Sequence, residues 1–271
     1  MMTDIDLAAN LVLEARSVVV LTGAGVSAES SVPTFRDAQT GLWKRFAPEQ
    51  LATEEAFRAN APLVWSWYVW RSQLINSAMP NAGHRAIGSW QKYLAALRGS
   101  LTVATQNVDD LHERGGAEGV LHLHGALQNF RCLDCNRFAA YDPTTAGIDT
   151  AEGFDDDNIL DPVACLHCAT GILRPGVVWF GEMLPEDAFN STIHALQRAD
   201  LVVVVGTSGL VQPAASLPYI GQEAGAQVIE INPVPTDLSD TADIYLQATA
   251  AATMPQLLKP LRLKVGSRAA R

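Results

Sequence analysis

The 271-residue chain has no apolar run long enough to cross a bilayer; its longest, residues 201–205, is the length of a strand. A helical membrane span is therefore not expected. Positive charge is scarce: 19 Lys and Arg against 29 Asp and Glu leave a formal charge of -10, which argues against nucleic-acid binding through a basic face. The opening stretch "MMTDIDLAANLVLEARS" carries acidic residues and amphipathic spacing where a secretion signal has basic residues and an apolar block, so a cytoplasmic protein is expected. Internal repeats are absent. Nor is there a cysteine to spare: all four fall in two Cys-x-x-Cys pairs, Cys132/Cys135 and Cys165/Cys168. In a cytoplasmic chain that excludes a disulfide framework.

Two such pairs supply four thiolates, the number a tetrahedral zinc ion takes. With sulfur at every position no ligand site is left for water, so one structural zinc ion is expected rather than a catalytic one. His167, inside the second pair, is not expected to be a fifth ligand. The long stretch between the pairs, which includes "YDPTTAGIDTAEGFDDDNILDP", is acidic and turn-forming and reads as a loop.

Nearly half of the residues are apolar, enough for a full core. Short β-branched runs, "SVVVLTGAG", "LTVATQN", "LVVVVGTSG" and "AQVIEINP", alternate with helical patterns and end in glycine or small polar residues. This predicts an α/β fold: a Rossmann-like parallel sheet whose ligand crevice lies at the carboxyl ends of the strands. Two stretches break the rhythm. Residues 36–85 hold most of the tryptophans and look helical; residues 128–176 hold the cysteines. The expected organisation is a nucleotide-binding domain from 1–35, 86–127 and 177–262, interrupted by a helical insertion (36–85) and a zinc-binding insertion (128–176) that together form a small domain, with 263–271 as a tail. "MPNAGHRAI" reads as the return, with Pro80 and Gly83 in a turn and the helix resuming near His84.

Gly23, Gly25 and Ala28 form Gly-x-Gly-x-x-Ala directly after a strand, the pattern of a dinucleotide turn in which backbone and helix amides approach a pyrophosphate. The acidic ribose ligand of dehydrogenases, about 20 residues further on, has no clear counterpart: Glu29 comes too early. The turn runs instead into "SAESSVPTFRD". His122 and His124 both suit a general base, and spacing does not choose between them. Tyr68 and Arg71 stand at i and i+3 in the aromatic stretch "WSWYVWRSQL" and share a helix face. An isolated arginine there would lay its stem on the rings and turn its head to water.

"GAGVSAESSVPTFRD", "TQNVDDLH", "HLHG", the paired cysteines, "VVWFGE", "GTSGLVQPAA" and "INPVPTDLS" stand in the order found in sirtuins, and the chain resembles that family over about residues 15–260. The resemblance implies an NAD-dependent protein lysine deacylase, in which the acyl-lysine carbonyl oxygen attacks a ribose carbon as nicotinamide leaves. It implies that Gln106, Asn107 and Asp109 hold the nicotinamide ribose, and that His124, directly before Gly125, is the base. Gly23, Ala24, Gly25 and Arg36 would contact NAD, with Phe35 in the loop that covers it. Gly206, Thr207 and Ser208 would meet its phosphates and ribose, and Asn232 its adenosine ribose.

Residues 176–182 resemble the strand on which an extended peptide adds, with Val178, Trp179 and Phe180 lining the lysine channel. The Tyr-x-x-Arg pair resembles that of the class III, desuccinylase-related sirtuins, with Ala28 as the small residue beside the acyl group. A guanidinium pairs with a carboxylate through two parallel hydrogen bonds, so succinyl and malonyl groups are the expected substrates and acetyl a weaker one. Partners would be acyl-lysine proteins or peptides, with no nucleic acid and no membrane, and the protein a monomer. Two other readings keep part of this: mono-ADP-ribosyl transfer or NAD hydrolysis, and a non-catalytic NAD-sensing module. Ser31 and Asp110 stand where the family often has glycine, Gly176 where it often has a larger residue, and "QATAAA" lacks the family's glycine-lysine pair.

Overall fold

A computed structural model describes residues 2–32, 48–148, 154 and 159–261. In chain order its elements are α1 (Asp4–Glu14), β1 (Ser17–Thr22), α2 (Gly25–Ala28), α3 (Glu54–Ala59), α4 (Ala61–Ser77), α5 (Ala82–Ala96), β2 (Ser100–Thr105), α6 (Leu111–Arg114), β3 (Leu121–His122), β4 (Gly125–Cys132), β5 (Leu173–Val177), α7 (Glu186–Leu196), β6 (Leu201–Val205), α8 (Leu217–Glu223), β7 (Gln227–Ile231), β8 (Ile244–Leu246) and α9 (Ala250–Leu257). They form two compact units.

The first unit takes its described residues from Met1–Ser31, Met79–Leu123 and Pro185–Arg271. Its centre is a six-stranded sheet in the order β3-β2-β1-β6-β7-β8, every pairing parallel. The central strands are apolar on both faces because both are covered by helices. Val18, Val20, Val103, Val203 and Ile229 face one core, with Trp90 of α5 and Met254 of α9. Val19, Leu21, Ala104, Val202 and Val204 face another, with Leu196 of α7 and Leu217 of α8. Strand order reverses between β1 and β6, which is where a doubly wound sheet opens its ligand crevice.

α5 begins earlier than the turn reading places it. Asn81 accepts hydrogen bonds from the amides of Gly83 and His84, and Nδ1 of His84 accepts from the amide of Asn81, a reciprocal cap that starts the helix at Ala82. Gly83 is thus a helical residue; a Cβ on it would meet Ala250 at 3.1–3.2 Å, so its smallness serves the approach of α9.

After α2 the chain reverses at Ser31, whose amide donates to the Ala28 carbonyl at φ +62°, the left-handed region that favours glycine. Ser31→Gly is therefore expected to stabilise the protein by about 0.5–1 kcal/mol, raising the melting midpoint by about 2 °C in a thermal scan. A lowered midpoint would refute this.

The second unit takes its described residues from Val32–Ala78 and His124–Leu184. Residues 79–85, expected in the helical insertion, thus lie with the first unit as the entry to α5. Residues 124–127 and 177–184, expected in the larger domain, lie here because β4 pairs with β5 antiparallel, Gly125 opposite Val177. α4 is started by Asn60, which accepts from the Leu63 amide. It buries residues around its whole circumference, which explains its aromatic composition. Trp65 meets Phe130 of β4 at 5.5 Å and Tyr141 at 5.0 Å between ring centroids. The cysteine-flanked stretch docks on the same helix: the Leu160 amide donates to Ser66, and Gln73 donates to the Pro143 carbonyl. Gly176 has a definite cause. A Cβ there would sit 1.8 Å from the Asn129 carbonyl oxygen, so no larger residue fits the β4–β5 bulge.

Candidate active site

At the reversal of strand order, the turn after β1 packs directly on the turn after β6. The Gly23 amide donates to the Val205 carbonyl and the Gly25 amide to that of Gly206. A Cβ on Gly23 or Gly25 would come within 2.8 Å of Gly206 backbone atoms, and one on Gly206 within 2.6 Å of the Val26 amide nitrogen. These glycines are required by backbone packing between two turns. The amides of Val26, Ser27 and Ala28 also donate locally, to Gly23 and Ala24 carbonyls, so the expected display of helix amides is largely consumed within the turn. Ala24 is exposed at its tip, and Ala28 is exposed at the end of α2. Phe35 and Arg36 lie outside the described residues.

Thr207 ties the strand ends together. Its hydroxyl accepts from the Gln106 side chain at 3.0 Å, and its carbonyl accepts from Nδ2 of Asn232 at 2.8 Å. Ser208 is half-buried beside it. Asn232 therefore uses its amide nitrogen inward, which turns its side-chain oxygen the other way.

Asn107 and Asp109 are both buried and share Ser27. The Ser27 hydroxyl donates to Oδ2 of Asp109 (2.9 Å), accepts from Nδ2 of Asn107 (3.1 Å) and lies 3.4 Å from Nε2 of His84. Because Nδ1 of His84 accepts from the Asn81 amide, Nε2 carries the proton and points it at Ser27. One donor and two acceptor directions of that hydroxyl are thus filled. Asp109 also accepts from the Leu111 amide. Burial raises the Asp109 carboxyl above its ordinary value, while the bonds from Leu111 and Ser27 oppose the rise. The His84 ring stacks edge-on against His112, 4.9 Å between centroids, and Nε2 of His112 lies 2.9 Å from the Thr22 hydroxyl. Burial drives His84 down to about 4 and His112 to about 3, so both rings are neutral at pH 7.

Ser27, His84 and His112 were not singled out as site residues from sequence. Ser27 was within reach, since it sits inside the glycine motif; the histidines carried no signal of their own.

The two candidate bases separate. His122 commits both ring nitrogens, Nδ1 at 3.1 Å to the Asn107 carbonyl and Nε2 at 2.7 Å to Glu113. Burial pushes its pKa down, but the Glu113 bond and charge outweigh that and raise it. It serves as a brace. His124 follows β3 in a turn and belongs to the second unit, where its carbonyl accepts from the Val178 amide.

In that unit β5 ends at Val177, short of the "WFGE" stretch. The Phe180 amide donates to the Ala52 carbonyl, and the Phe180 ring is exposed. Trp179 is 1 % exposed, so its ring is a packed group rather than an open channel wall. Its indole N–H donates to the Tyr68 hydroxyl at 3.0 Å. Arg71 is half-buried, with its guanidinium 5.3 Å from the Trp67 ring centroid.

The four cysteine sulfurs all lie within 4.8 Å of one another, with Cys132 and Cys168 3.6 Å apart and Cys135 and Cys165 3.8 Å apart. A tetrahedron of Zn–S bonds about 2.3 Å long has edges of about 3.8 Å, so the set fits zinc. The Cys135 and His167 amides point at the sulfurs of Cys132 and Cys165. Gly171 leaves room for the cluster, since a Cβ on it would stand 2.3 Å from the Cys132 sulfur. Glu29, which comes too early after the turn for a ribose ligand, holds a helix instead: it accepts from the Thr249 hydroxyl and the Ala251 amide at the start of α9.

A doubly wound parallel sheet with a buried Ser-Asn-Asp group at its strand ends, joined in one chain to a four-cysteine unit, defines an α/β nucleotide-binding protein with a zinc module. The Sir2 family profile matches residues 23–213, and the chain belongs to that family. It is 48% identical over 244 residues to an NAD-dependent protein deacylase of Mycobacterium leprae, covering 90% of this chain and 97% of that one. To a Pseudomonas putida protein of the same description it is 42% identical, covering 95% of each. Among solved structures, an ADP-ribose complex of a Sir2 homologue superposes with a TM-score of 0.83 at 41% identity, covering 96% and 98% of the two chains. A Sir2 homologue in complex with NAD gives 0.82 at 42% identity, covering 96% and 94%. No described helix is long and apolar enough to cross a membrane.

Proposed function

We propose that this chain is an NAD-dependent protein lysine deacylase whose preferred acyl groups end in a carboxylate, succinyl or malonyl, with acetyl removed more slowly. NAD, when bound, supplies a ribose carbon from which nicotinamide departs. Asn107, its amide nitrogen held by Ser27, presents its oxygen to a ribose hydroxyl, and Asp109 keeps Ser27 in place. His124, directly before Gly125, is the base that the family resemblance implies, and His122 serves as a brace bonded at both nitrogens. Gly206, Thr207, Ser208 and Asn232 meet the phosphates and the adenosine ribose.

The observation that carries the acyl preference is the pair on α4. Tyr68 and Arg71 lie one turn apart, one a phenol with its hydroxyl oxygen fixed by Trp179, the other a half-buried guanidinium flanking Trp67. An acetyl group offers such a pair no anion, and a site built for hydrogen bonds penalises the ligand that lacks them. Arg71→Met should lower the ratio of kcat/KM for succinyl- over acetyl-lysine peptides of one sequence by about 100-fold, read by mass spectrometry of nicotinamide and O-acyl-ADP-ribose. An unmoved ratio removes the arginine from acyl recognition.

A further inference from the structure

The Tyr68 hydroxyl is 4 % exposed with its residue, and its one bond among the described residues is as acceptor of the Trp179 indole N–H. Trp179 cannot readily turn away from that bond. The Arg174 guanidinium lies 3.4 Å from its ring centroid and the Phe57 ring 5.2 Å, so both groups clamp the indole. Arg174 is itself locked: it binds both carboxylate oxygens of Glu182 and donates to the Val177 carbonyl. Glu182 closes the circuit by accepting from the Trp179 amide at 2.8 Å. Arg131 adds a second cation to Glu182 at 3.5 Å. The last residue of "VVWFGE" thus fixes the first aromatic of that motif, and the aromatic fixes a phenol on α4.

A hydroxyl has one proton and two acceptor directions. With one acceptor direction filled by an N–H, the proton must point elsewhere, and no acceptor for it is found among the described residues. We infer that Trp179 is a specificity-determining positioning residue: by donating to Tyr68 it presets the phenol as a hydrogen-bond donor, matched to an acyl group that ends in an acceptor-only carboxylate. An N–H···O–H···carboxylate chain also polarises in sequence, so the indole strengthens the phenol's bond to the anion. Burial pushes the Tyr68 phenol up to about 12, which keeps that proton in place across the working range. This inference rests on the acyl reading above and assigns Trp179 a role other than channel wall.

The test compares wild type, Trp179→Phe, Tyr68→Phe and the double variant on matched succinyl- and acetyl-lysine peptides with NAD. Trp179→Phe keeps an aromatic ring for Phe57 and Arg174 and removes the N–H. The succinyl-over-acetyl ratio should fall about three- to tenfold, whatever loss the two substrates share. The double variant should show no further fall beyond Tyr68→Phe alone, because the indole acts through the phenol. If Trp179→Phe does not fold, replacing Trp179 alone with benzothienylalanine keeps the bicycle and removes the N–H. A ratio that falls for Tyr68→Phe but stays at the wild-type value without the N–H overturns the inference and leaves the acyl reading standing, as does an equal loss on both substrates. A ratio unmoved by Tyr68→Phe and Arg71→Met overturns the acyl reading and this inference with it.

Discussion

Cys165→Ser should leave the chain without its zinc and unfold the second unit while the first keeps its sheet. Structural zinc sites contribute apparent binding energies of about 10–16 kcal/mol, more than a domain of this size holds in reserve. The dependence is legible in the contacts. Cys132 ends β4, and on the same strand Phe130 packs against Trp65 of α4. Gly171, beside the sulfurs, leads directly into β5, whose Leu173 pairs with Cys132. Losing the ion frees four thiolates held at near contact, splays β4 from β5, and removes the surface on which α4 holds Tyr68 and Arg71. Elemental analysis should find one zinc per wild-type chain and almost none in the variant. Hydrogen exchange should show amides of 125–132 and 173–177 losing protection while those of 17–22 and 201–205 keep theirs. Deacylation should fall below detection. A zinc-free variant that keeps the melting midpoint and exchange pattern of the wild type would show that the four sulfurs are not what holds this unit.

What could be read beforehand divides by the range of the interaction. The strands of the parallel sheet were legible because a run such as residues 201–205 has only one comfortable environment, a sheet covered on both faces. The cysteines were legible because their chemistry is carried by spacing. Gly25 was legible because a Gly-x-Gly pattern reports a tight approach of backbone, and the carbonyl of Gly206 is one group that makes that approach. Glu29 looked misplaced because its partner, the start of α9, is more than two hundred residues away. The bond between Trp179 and Tyr68 joins two motifs that the chain keeps far apart, and no local pattern announces it.

Acid should destabilise the first unit well before its exposed carboxylates account for it, and the cause should map to His84 and His112. Both rings are buried and neutral, with folded values of about 4 and about 3 against 6.5 when exposed. The cause in each is burial. Arg85 and Arg114 add to it at His84; at His112 the neighbouring histidines add to it and Glu113 opposes. A proton therefore binds the unfolded chain more readily than the folded one. The stability these rings contribute is complete above pH 6.5 and is lost as the pH falls toward 4 and then 3. Asp109 works the other way: its raised folded value means that protonation at lower pH removes the cost of a buried charge, offsetting part of the loss. The net fall from pH 7 to pH 4.5 should be on the order of a few kcal/mol, seen as a steep drop in the urea midpoint. His112→Gln is the informative variant. A glutamine can still bond Thr22, as Nε2 of His112 does, and the lost Nδ1 has no partner among the described residues. Stability at pH 7 will change somewhat, but the slope against pH should be visibly shallower than in the wild type. An identical slope would place the acid sensitivity elsewhere, and would mean that the His84–His112 pair takes up protons in the folded state as easily as in the unfolded chain.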